Sequence, residues 1–159
     1  MLTTTRVTTT LTSGQPDMLP ALILDDNEGN RMLLKFVMSM AKVDCVEAVD
    51  GQEALRLWKP GEFGFVFLDI ELPDINGLEV LRSIRATDPN LAIIMCSTND
   101  DPVTIAQAVK DGCDLFLIKP FQLDTLMTLV KTMTPKNLRS VPHVLVIDNT
   151  AHARWEFRC

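Results

Sequence analysis

The stretch Val66-Phe67-Leu68-Asp69-Ile70-Glu71-Leu72-Pro73-Asp74-Ile75-Asn76-Gly77 decides how the rest of the chain is read. An apolar run that delivers one carboxylate into a loop, with Pro and then Gly behind it, predicts a buried strand ending at Asp69 and a turn into a helix. In an α/β sheet the carboxyl ends of the strands border the crevice where sites are built. Asp69 therefore stands where chemistry takes place.

Working outward, the same grammar repeats. Ala21 to Leu24 is a short apolar strand closing on Asp25-Asp26, followed by Met32, Leu33, Phe36, Val37 and Met40 at helical spacing with Asn27 as N-cap. Val43 to Val49 predicts a second strand, and Gly51 opens a short helix carrying Ala54, Leu55 and Trp58 that ends at Pro60-Gly61. After the third strand, Phe65 to Leu68, residues Leu78, Val80, Leu81 and Ile84 mark a helix that stops before Pro89. Leu91 to Cys96 is a fourth strand ending at Ser97-Thr98, and the helix after it begins near Pro102. Leu115 to Ile118 is a fifth strand ending at Lys119-Pro120, and Leu123, Leu126, Met127, Val130 and Met133 stripe a last helix. Strands alternating with amphipathic helices predict a doubly wound α/β domain: a five-stranded parallel sheet with helices on both faces, spanning 19–134.

At 159 residues with 47% apolar content, the chain has room for one domain with a core plus tails. A net charge of -6 without a Lys/Arg cluster argues against direct nucleic-acid binding, and no apolar run is long enough to span a bilayer. Cys45, Cys96, Cys113 and Cys159 show no paired metal-ligand spacing, so buried reduced thiols in a cytoplasmic protein are expected. Residues 1–18 form a Thr-rich leader, expected to be disordered, without the apolar core of a secretory signal.

The polar exceptions to the apolar pattern all fall at strand ends: Asp25 and Asp26, Asp69, Ser97 and Thr98, and Lys119. In a parallel sheet these ends share one edge, so the residues meet in one crevice. Three crowded carboxylates repel one another unless a cation joins them, and Mg²⁺, with Mn²⁺ as a substitute, suits an all-oxygen set that also takes a phosphate. With charge so screened, Asp69 can attack phosphorus, Lys119 supplies a second positive charge and Ser97 a hydroxyl donor. The product is an aspartyl phosphate. Asp74, Asp88, Asp100 and Asp101 lie at turns and helix starts, where capping explains them.

These motifs, taken together and in this order, resemble the response-regulator receiver domain of two-component signalling, over about Ala21 to Met133. They are Asp25-Asp26, Asp69 followed by Leu72-Pro73-Asp74-Ile75-Asn76-Gly77, Ser97-Thr98, and Lys119-Pro120-Phe121. The resemblance implies a flavodoxin-like strand order of 2-1-3-4-5 and makes Asp69 the phosphoacceptor and Asp26 the metal-ligating acid. Asp25 then helps through water, and the backbone carbonyl of Glu71 is a further ligand. It also implies that Ser97 swings toward the phosphoryl group, that Phe116 is an aromatic rotamer switch, and that the bond before Pro120 is often cis. The implied donor is a sensor histidine kinase or a phosphotransfer protein. The implied output is a downstream protein or second copy reading the surface of the fourth helix, fifth strand and fifth helix. Thr98 departs from the small residue usual in such domains, and a larger side chain there narrows access. Glu71 and Asn99 occupy positions that tune phosphate loss.

Two other functions compete. A haloacid-dehalogenase-like phosphatase also uses Asp, Ser/Thr, Lys and Mg²⁺, but its nucleophile lies on the first strand and its acidic pair comes last, the reverse of the order here. A phosphorylation-independent interaction domain of the same fold would more often have lost a site residue. The autocatalytic gain and loss of phosphate leaves the chain primarily a signalling domain, with enzyme status open.

Residues 135–159 read as linker and tail. Val144-Leu145-Val146-Ile147-Asp148, with Arg154 downstream, repeats the pattern of Leu22-Ile23-Leu24-Asp25 with Arg31, at an offset close to one domain length. Two readings stay open: the start of a truncated second receiver, or a plain tail, either a short extra strand or a disordered segment. In either case an apolar run without its own sheet is expected to pair with an edge strand, pack on a neighbour or associate between chains.

Overall fold

The computed structural model describes residues 18–132, 143–148 and 153–157. The expected leader (1–18), apart from its last residue, and much of the expected linker and tail (135–159) lie outside them. In chain order the elements are β1 (Ala21–Leu24), α1 (Glu28–Met40), β2 (Cys45–Ala48), α2 (Gly51–Leu57), β3 (Phe65–Asp69) and α3 (Gly77–Thr87). There follow β4 (Ala92–Ser97), α4 (Pro102–Asp111), β5 (Leu115–Ile118), α5 (Leu123–Thr132), β6 (His143–Ile147) and β7 (Ala153–Phe157).

The sheet order is β2-β1-β3-β4-β5-β6-β7. The 2-1-3-4-5 order holds, but the expected count of five strands is exceeded. β6 pairs parallel with β5, and β7 pairs antiparallel with β6. The apolar run of the tail finds its partner on the open edge of β5, where unpaired N–H and C=O groups wait for a strand. Leu145, Val146 and Ile147 stand opposite Leu115, Phe116 and Leu117. Burying the side chains of Val144, Leu145, Val146 and Ile147 contributes about 2 kcal/mol each, while ordering a strand backbone costs about 1–2 kcal/mol per residue. The two terms are of similar size.

Because both faces are covered, alternate residues of every central strand enter one of two cores. Leu22, Leu68, Met95 and Phe116 pack against α2, α3 and α4 with Val144 and Val146, whereas Ile23, Phe67, Ile94 and Leu117 pack against α1 and α5. Boundaries moved where a backbone N–H had another partner. The N–H of Val43 donates to the carbonyl of Met38 at the end of α1, and that of Leu91 to the carboxylate of Asp88, so β2 and β4 begin later than their apolar runs.

The phase of α1 also differs from the expected stripe. Leu34, Val37 and Met38 are buried, whereas Met32, Phe36 and Met40 are 62%, 51% and 57% exposed and form a ridge along the outer face. The helix carries two apolar rows, and only one can face the sheet. Among the described residues no helix is long and apolar enough to cross a membrane.

Candidate functional site

Four strands deliver the site from their carboxyl ends. Register places Asp69 of β3 beside Cys96 of β4, and Ser97 beside Ile118 of β5, so the residues that follow share one level. β1 and β3 are adjacent although β2 comes between them in sequence, and a crevice opens where the winding reverses.

Gly77 permits the close approach that shapes this edge. A Cβ there would lie 2.1 Å from the carbonyl oxygen of Asp69 and 2.6 Å from the Cα of Ile70, both backbone atoms unable to give way. The Gly77 N–H instead donates to the Ile70 carbonyl at 2.9 Å, and Asn76 caps α3 through Leu78. Asp74 folds back to accept from the N–H groups of Gly51, Gln52 and Ile75, a capping role as expected.

Asp25, Asp26 and Asp69 each place a carboxylate oxygen within 4.8 Å of the others. Asp25 and Asp69 are 1% and 2% exposed, and Asp26 is at the surface. Lys119 reaches into the pocket, its Nζ 2.8 Å from Asp25 Oδ2 and 3.0 Å from Asp69 Oδ2. The Lys119–Pro120 peptide bond is cis. Asp25 is further held by the N–H of Asn27 at 2.8 Å and the amide of Asn30 at 3.2 Å. The donor set is hard oxygen, one member open to solvent, which fits a divalent ion that retains waters.

The electrostatics are unbalanced. Burial pushes the Asp69 carboxyl up to about 7, aided by its hydrogen bond with Glu71 and opposed by the Lys119 ammonium. A cation at the cluster would bring it down again. Burial works against the Lys119 charge, but hydrogen bonding to Asp25 and the attraction of Asp69 prevail, and its pKa is raised. Burial would raise Glu71 as well, yet the hydroxyl of Ser97 and the contact with Asp69 hold it below its ordinary value.

Glu71 is the residue that the sequence underrated. Its N–H donates to Asp69 Oδ1 at 3.1 Å, and its side chain accepts a short hydrogen bond from Ser97 Oγ. Ser97 Oγ in turn accepts from the Asn99 N–H at 2.9 Å. The hydroxyl therefore points toward Glu71. Asn30 was missed too, because an Asn in the first turn of a helix ordinarily reads as solvated. Thr98 is exposed at the rim, and Phe116 is wholly buried in the core. Cys45 and Cys96 are free thiols; burial pushes Cys45 up to about 11 and Cys96 higher, which leaves both poor nucleophiles.

A doubly wound sheet with an acidic, lysine-closed pocket at the reversal of its winding defines the class. The profile of the response regulator receiver domain matches residues 21–131. A chemotaxis protein CheY of Thermotoga maritima is 36% identical over 102 residues, 64% of this chain and 85% of that protein. The sensor protein EvgS of Escherichia coli O157:H7 is 30% identical over 130 residues, 82% of this chain but 10% of EvgS. Among solved structures, the chemotaxis response regulator CheY4 of Vibrio cholerae superposes with a TM-score of 0.65 at 25% identity, covering 72% of this chain and 97% of that one. A Burkholderia pseudomallei response regulator, described with a phosphorylated aspartic acid and a calcium ion, gives 0.63 at 27% identity, covering 72% and 67%. The chain belongs to the response regulator receiver domain family.

Proposed function

We propose that the domain accepts a phosphoryl group on Asp69 in a Mg²⁺-dependent transfer from a histidine kinase or phosphotransfer protein. The observation that carries this reading is the position of Lys119, whose ammonium lies within hydrogen-bonding distance of two buried carboxylates from different strands. Asp25, Asp26 and Asp69, with the Glu71 backbone carbonyl, would hold the ion; when bound it neutralises the excess of negative charge and lets a phosphate enter.

An oxygen of Asp69 attacks phosphorus in line with the leaving group. The bond from phosphorus to the donor's imidazole nitrogen breaks, and its electron pair stays with the imidazole. Lys119 stabilises charge gathering on the phosphoryl oxygens. Ser97 exchanges its hydrogen bond to Glu71 for one to a phosphoryl oxygen, and the group's added charge of about -1.5 to -2 makes that exchange favourable. The motion of Ser97 opens space that the ring of Phe116 fills, biasing one of two packings.

The ridge of Met32, Phe36 and Met40 starts beside the pocket, because α1 follows directly on Asp26, and offers an apolar row to a helix of the donor. The output is protein contact near α4 and α5, on either side of the β5 edge that β6 covers, in the cytoplasm, without direct contact to nucleic acid or membrane. A phosphatase would need the acceptor on β1, whereas Asp69 ends β3.

Intact-mass measurement after incubation with acetyl phosphate tests the reading. The expected result is a gain of one phosphoryl group that needs Mg²⁺ and is lost in Asp69→Asn. A gain that survives this substitution, or no gain with Mg²⁺ present, contradicts it.

A further inference from the structure

β6 and β7 lie outside residues 21–131, the extent of the family match, and yet β6 completes the core around Phe116. In a sheet ending at β5 this ring would sit at an edge, able to turn into the core or out past the strand. Here Val146 stands opposite Phe116, and the buried Val144 and Val146 join it in one cluster with Ile105 and Val109. Adjacent strands run about 4.8 Å apart, so the space beyond β5 is filled by the backbone of β6 and these valines. The outward position is closed.

The other end of β5 enters the pocket. Lys119 follows its last residue, the Lys119 N–H donates to the Ser97 carbonyl at 2.8 Å, and Ile118 is the register partner of Ser97. One short strand thus carries the pocket's lysine and, three positions earlier, the ring that β6 encloses.

We propose that segment 143–147 is a built-in ligand of the β5 edge that selects the inward state of Phe116, so that its docking and phosphorylation of Asp69 stabilise each other. The proposal rests on the phosphoacceptor reading above. Phosphorylation favours the inward ring by moving Ser97, and β6 favours it by closing the way out. Two events that prefer the same state are coupled, and the coupling is reciprocal.

The test is backbone amide exchange of 143–147 and 115–118 in the full chain, before and after treatment with Mg²⁺ and acetyl phosphate, with the intact mass read from the same sample. Phosphorylation is expected to slow exchange in 143–147 by about 5-fold or more. Conversely, Val146→Asp, which undocks the strand, is expected to lower the equilibrium ratio of phosphorylated to unphosphorylated protein, read as the fraction phosphorylated at a fixed acetyl phosphate concentration, by the same factor. Should Val146→Asp melt the domain, the near-isosteric Val146→Thr carries the comparison, and a phosphorylated fraction equal to the wild type's in that variant overturns the proposal. A mass gain with unchanged or faster exchange in 143–147 overturns the coupling and leaves the acceptor role standing. Absence of any mass gain overturns both.

Discussion

Strand β5 has a buried ion pair at each end. Just before it, Asp114 meets Arg85 at 2.8 Å; just after it, Lys119 meets Asp25 at 2.8 Å and Asp69 at 3.0 Å. At the first end the charges cancel and the donors are used. Arg85 also donates to the carbonyls of Gly112, Asp88 and Leu91, and Asp114 also accepts from the N–H of Ile93. At the second end a single ammonium faces two buried acids with Asp26 close by, and Asp69 is forced toward its neutral form. Burial is common to both ends. What distinguishes the end proposed as the site is charge left unbalanced, a state that costs stability unless a ligand corrects it.

Breaking the balanced end has the largest expected effect. Arg85→Met strands the Asp114 carboxylate and should cost about 3–5 kcal/mol in urea unfolding, with the loss unchanged by Mg²⁺. At the other end Lys119→Met should slow phosphoryl incorporation by about 100-fold. Its stability loss should shrink on adding Mg²⁺, because an ion that binds only the folded state raises stability by mass action. Asp69→Asn relieves the repulsion among the acids and should stabilise the metal-free protein by about 1 kcal/mol at pH 8, measured by the same unfolding curves.

A third pair, at the surface, sharpens the contrast. Glu47 contacts Arg31 at 3.2 Å and Lys35 at 3.0 Å, and the hydrogen bond from Lys35 is the main reason its carboxyl lies below the ordinary value. A depressed carboxylate contributes stability that is complete above its unfolded value near 4.5 and is lost as the pH falls through the folded one. Solvent reaches this pair, so Glu47→Gln should cost only about 0.3 kcal/mol at neutral pH, a difference that vanishes on acidification below that window.

Much of this fold was legible because β1, β3, β4 and β5 are apolar runs, each closed by a polar residue that the sheet brings to one edge. That Asp69, the acidic pair Asp25-Asp26, Ser97 and Lys119 would meet at that edge could be read from those closures. The phase of α1 could not, since Met32, Phe36 and Met40 repeat with the same period as the row that is buried. The hydrogen bond from Ser97 to Glu71 was equally hidden, because it joins side chains from two loops whose separation only the folded sheet defines. The tail's strand pattern was readable, and its need for an edge followed from it. That the edge would be β5, against Phe116, depends on which strand the sheet leaves open.

The central claim is that one carboxylate, Asp69, carries the phosphoryl group. Borohydride reduction of the phosphorylated protein converts an acyl phosphate on aspartate to homoserine, which peptide mass spectrometry locates. The label is expected at position 69 alone; homoserine at Asp25 or Asp26, with residue 69 unchanged, would contradict the account.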